Sequence, residues 1–85
     1  MSTFCFSVES DSVPSTLPRV LEVFAMHDLV PDACHCVCGA SGLSMDLQLS
    51  GIDAAAAALL AKRLGRVVTV TSVLFSPKCG RAAAA

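Results

Sequence analysis

Cys34-His35-Cys36-Val37-Cys38 packs three thiols and an imidazole into five consecutive residues. Thiolate with imidazole is a ligand set that zinc and copper accept. Spacing decides whether the set can close on one ion. If the segment is extended, the three cysteines share one side at intervals of ~6.6–6.8 Å, and His35 points to the other. Metal sites more often use a Cys-x-x-Cys pair across a turn, which brings both sulfurs to one ion. A disulfide between positions two apart is also disfavoured, because ~6.6 Å is near the upper limit of Cα spacing. The expectation is therefore that Cys34 and Cys36 act as small buried hydrophobes, with no metal and no cofactor. A thiol or metal protein using Cys34, Cys36 and Cys38 is the alternative.

The other reactive residue types form no constellation. His27 and His35 are far apart, without an obvious Ser or Cys partner. Paired carboxylates, a P-loop, GxGxxG and HExxH are all missing from the sequence, so no catalysis is expected. The net charge is −1, with only six Lys and Arg. Phosphate backbones are bound largely through such cations, so no nucleic-acid partner is expected. No apolar run approaches the ~18 residues of a membrane span. Met1-Ser2-Thr3-Phe4 lacks a basic region followed by a long apolar core. With five cysteines, an odd number, the chain is expected to be cytoplasmic with reduced thiols.

The elements that must carry these residues follow from periodicity. Phe4, Phe6 and Val8 alternate with Cys5, Ser7 and Glu9, which predicts a strand, β1, with one apolar face. Ser10–Pro14 is a turn. A helix, α1, is predicted from an N-cap at Ser15 to near His27, with Pro18 in its first turn, where a missing N–H costs nothing. Leu17, Val20, Leu21 and Phe24 fall at i, i+3, i+4 and i+7 and predict one buried stripe. Asp28 suits a left-handed exit. A second strand, β2, is predicted over Asp32–Cys38, then a four-residue hairpin loop from Gly39 to Gly42. Leu43, Met45, Leu47 and Leu49 alternate with polar residues in a third strand, β3. Asp53 caps a helix, α2, over Ala54–Leu64, with Lys62 and Arg63 in its last turn and Gly65 after it. Val67–Phe75 is predicted as β4, stopped by Pro77.

Two βαβ units joined by a hairpin predict an α+β, ferredoxin-like βαββαβ sandwich. It has a four-stranded antiparallel sheet, with β1 and β3 central and both helices on one face. Ser7, Glu9, Asp46, Gln48, Thr69 and Thr71 are expected on the other face. All four Phe are committed to the apolar side, to α1 or to the end of β4, so stacking of RNA bases is not expected. Residues 1–77 make one domain, and the aperiodic, alanine-rich 78–85 is a tail left out of the fold. The 54% hydrophobic content is high for a small monomer and favours subunit contacts. The run Ala54–Ala61 has no polar residue on any face; it reads either as a subunit-packing surface or as alanine serving simply as the best helix former.

Pro14-x-Thr16-Leu17-x-Arg19-Val20-Leu21-x-Val23, with Leu43–Leu49 and Val68-x-Val70 at the right distance, resembles an ACT domain. The likeness spans about Phe4–Phe75 and is nearest to the small regulatory subunit of acetolactate synthase, isozyme II type. The resemblance implies a non-catalytic regulatory or dimerisation module. It implies a homodimer through the β2 edge and α1, and a large catalytic subunit of an amino-acid biosynthetic enzyme as partner. A stand-alone sensor of an amino acid or other small ligand is the alternative. Effectors would sit at the subunit seam, between the β1–α1 loop of one copy and the start of β2 of the other. By resemblance that site is Asp11, Ser12, Val13, Pro14, Ser15 and Thr16, facing Val30 and Asp32. Three positions depart from the effector-binding pattern. Ser15 replaces a glycine, and Ser12 and Val30 replace asparagines, so weak or absent amino-acid binding is expected.

Overall fold

The computed structural model describes residues 2–77. The order is β1 Ser2–Ser10, α1 Thr16–Met26, β2 Ala33–Gly39, β3 Gly42–Ile52, α2 Ala54–Leu64 and β4 Val70–Pro77. One antiparallel sheet has the order β2-β3-β1-β4, which is the ferredoxin-like arrangement. Among the described residues no helix is long and apolar enough to cross a membrane. The proposed tail, 78–85, lies outside the described residues.

Register sets the faces. Phe6 pairs with Leu47 and Phe75, and Val8 pairs with Met45 and Val73. These side chains point under the helices, where Val20, Phe24, Ala57, Leu60 and Leu64 close the core. Phe6 meets Phe24 edge-on at 6.0 Å and stacks beside Phe75 at 6.0 Å, geometries that aromatic quadrupoles favour. The opposite face is mostly polar, with Ser7 Oγ donating to Asp46 (3.1 Å) and Ser44 Oγ to Glu9 (2.8 Å), and it also carries exposed Val37 and Leu74. No phenylalanine lies there.

Helix ends follow local chemistry. Asp53 accepts from Ala56 N at 2.8 Å and caps α2. At the end of α1, Leu29 N donates to Phe24 O and Asp28 N to Ala25 O, with Asp28 at φ 61°. That is a Schellman motif, with aspartate in the left-handed position that glycine usually takes. Ser15 holds the N-cap position of α1 but makes no side-chain capping bond.

Several expectations are corrected. Leu21 is exposed, and Thr16 takes a buried place on the α1 stripe beside Val20 and Phe24. The hairpin loop is two residues, Ala40-Ser41, because Gly39 and Gly42 already pair. β4 begins at Val70, not Val67; residues 65–69 form a turn closed by Val70 N to Val67 O. Thr69 therefore does not lie on the open sheet face. Cys34, Cys36 and Cys38 are exposed, not buried. They do point to the helix side, paired with Leu47, Met45 and Leu43. All seven residues of β2 are nonetheless exposed, because β2 is an outer strand that the core leaves uncovered.

Candidate functional site

The β1–α1 loop is held from below by two threonines. Thr16 is fully buried, and its hydroxyl shares a 2.6 Å hydrogen bond with that of Thr69. Asp11 N donates to Thr69 O at 2.9 Å, so the loop is pinned to the turn before β4 at two points. The Asp11 carbonyl in turn accepts from Val13 N (3.0 Å) and Ser10 Oγ (3.2 Å). Sequence reasoning placed Thr16 in the site but missed Thr69. Nothing local links two residues 53 positions apart.

Asp11, Ser12, Val13, Pro14 and Ser15 are exposed on this loop. The donors at the start of α1 are largely used. Thr16 N donates to Val13 O (3.1 Å) and Arg19 N to Ser15 O (3.3 Å), and Pro18 has no N–H. Among the described residues this leaves Leu17 N, within the first three helical positions, for an anion. A carboxylate at this helix start would meet fewer backbone donors than the general anion-binding geometry offers.

Ser12 also reaches across to the far end of β2, its hydroxyl 3.1 Å from the Cys38 sulfur. Val30 and Asp32 are exposed before the other end of that strand, where Asp32 N donates to Gln48 O. The two halves of the candidate site thus lie at opposite ends of β2, roughly 20 Å apart at the usual strand rise. One chain does not bring them together. A copy paired antiparallel along β2 would place the start of its own strand beside this loop.

The cysteines line that same edge. Cys34 has its thiol pKa raised above the ordinary value, by desolvation first and by the neighbouring Cys36 second. A raised pKa lowers the thiolate fraction that metals and electrophiles require. Among the described residues no three His, Cys, Asp or Glu side chains are grouped as a metal would need.

The βαββαβ order and the two-helix layer over one antiparallel sheet define a ferredoxin-like module. The chain belongs to the ACT-like domain family, whose model matches residues 2–80. ACT-like domains are generally regulatory or ligand-sensing. Among solved structures, it is similar to the uncharacterized protein TM1266 from Thermotoga maritima, with TM-score 0.73 and 14% identity over 92% of this chain and 98% of that one. It is also similar to the C-terminal domain of the MgtC protein from Mycobacterium tuberculosis, with TM-score 0.69 and 13% identity over 92% of this chain and 88% of that one. At these identities the likeness is one of fold. No curated protein is similar enough in sequence to match. Nothing in these similarities singles out the acetolactate synthase small subunit.

Proposed function

We propose that this chain is a non-catalytic ACT-like regulatory module that works as a homodimer joined along β2 and the adjoining side of α1. The observation that carries the reading is the contrast between the two edges of the sheet. Edge strands expose unpaired N–H and C=O groups, and proteins usually blunt them with bulges, prolines or charges. β4 is blunted: its pairing with β1 shifts register between Glu9 and Ser10, and it ends on Pro77. β2 has none of these guards. It holds unbroken register with β3 from Ala33 to Gly39 and carries neither Asp, Glu, Lys, Arg nor Pro. An unguarded edge with unbroken register is suited to strand addition by a second copy. Exposed Leu21 and Val37 add apolar surface of the kind that subunit contacts bury.

As a dimer the module has a regulatory role by family, and its partner is the catalytic subunit of an amino-acid biosynthetic enzyme such as acetolactate synthase. The test adds the purified chain to the acetolactate synthase large subunit. Co-elution with increased activity is the expected result. Neither co-elution nor activation would remove that enzyme as the partner while leaving the dimer reading to be tested separately.

A further inference from the structure

A second surface lies on the other side of α1. Arg19, Glu22, Val23, Met26 and His27 line one wall of a cleft of about 270 Å³. They fall at i, i+3, i+4, i+7 and i+8, one continuous face of a helix. Arg63 from the last turn of α2, with Arg66, Val67 and Val68 from the turn that follows it, forms the opposite wall. Around a helix of 3.6 residues per turn, Leu21 sits about 200° from Arg19, with the buried stripe between them. The cleft therefore faces α2, while Leu21 faces away from it. The cleft lies within one chain and needs no second copy.

Charge is concentrated here against the trend of the chain. The whole sequence is −1, yet all three arginines of the described residues line this one cleft, against one carboxylate, Glu22. Helix polarity explains part of this. Arg63 and His27 lie at helix C-termini, where cations are stabilised. It does not explain Arg19, the fourth residue of α1, near the end of the dipole that disfavours a cation. Nor does packing explain Met26 and Val68, which are 74% and 94% exposed. Guanidinium groups grip planar or tetrahedral oxyanions through paired N–H donors. Apolar side chains beside them suit a hydrocarbon tail.

We propose that the cleft between α1 and the end of α2 binds a small organic anion, its carboxylate or phosphate held by Arg19, Arg63 and Arg66 and its apolar part lying on Val23, Met26 and Val68. The volume falls just below the ~300–1,000 Å³ usual for small-molecule sites, which favours a compact ligand over a polymer.

The test is a titration of the full chain followed by amide NMR, with phenyl phosphate, benzoate and neutral benzyl alcohol as probes. One or both anions should give saturable shifts confined to residues 19–27 and 63–68, with Kd below ~1 mM, and benzyl alcohol should not. The stronger of the two anions identifies the head group. Arg19→Gln and Arg66→Gln alter exposed side chains, so the spectra should stay folded while affinity falls about tenfold in each. Leu74→Lys, exposed on the open sheet face away from α1, should bind as the parent does. Absence of saturation up to ~10 mM, equal binding of the neutral probe, or unchanged affinity in both arginine variants would overturn the proposal.

Discussion

At the scale of residues, the loop before α1 is defined by what its polar groups already bind. Thr16 and Thr69 satisfy each other in the buried base, so the Thr16 hydroxyl is not spare for a ligand. A free amino acid brings two charges, and burying them requires placed donors and acceptors. Val30 offers no side-chain oxygen, and the start of α1 has given up most of its donors. Valine, leucine and isoleucine are therefore expected to bind with Kd above roughly 1 mM. Calorimetry on the parent chain and on Val30→Asn checks this. Micromolar binding by the parent would contradict it, and binding gained only by the variant would support it. Asp11 is exposed on the loop and is the side chain most able to rescue ammonium binding. The resemblance motif made the loop legible in the sequence. The threonine pair was not, because Val67-Val68 reads as the start of a strand and assigns Thr69 to the wrong face.

At the scale of elements, the sheet depends on two glycines in β3. Gly42 has φ 137°, and a Cβ there would meet Ser10 O at 2.4 Å. Gly51 has φ 80° and sits where the β1–β3 register shifts between Ser2 and Phe4, a bulge that favours glycine. Gly42→Ala should destabilise the chain by about 1–3 kcal/mol, the usual cost of one strained backbone position, measured as a lower denaturant midpoint with unchanged slope. A neutral effect would mean that the hairpin relaxes freely. Element order and most boundaries were readable from alternation and caps: Leu43–Leu49, Asp53 and Asp28 each behave as local chemistry requires. Exposure of the cysteines was not readable. Alternation assigns Cys34, Cys36 and Cys38 to the helix side correctly, but it cannot say that the helices stop short of the outermost strand. The arginine cleft was hidden for a related reason, since Arg19 and Arg63 meet only through the packing of two helices.

At the scale of the whole molecule, α1 presents two sides: the side toward α2 carries the arginine-lined cleft, and the side with exposed Leu21 is the one proposed to join the β2 edge in a dimer. A small domain buries a modest share of its surface, and completing the sheet across two copies would extend both its ladder and its apolar cover. A specific interface of this kind commonly buries more than ~1,000 Å² in total, and β2 with α1 offers a surface along a full edge of the molecule. The most direct test of the central claim is sedimentation equilibrium of the chain at ~100 μM, well above the micromolar Kd expected of a stable seam, alongside a variant combining Leu21→Lys and Val37→Lys. Both replaced side chains are exposed in the single chain, so the variant should fold. The parent should sediment at twice the 8.7 kDa of one chain and the variant at a single-chain mass. A parent that sediments as a single chain at that concentration, or a variant that dimerises as well as the parent, would contradict it.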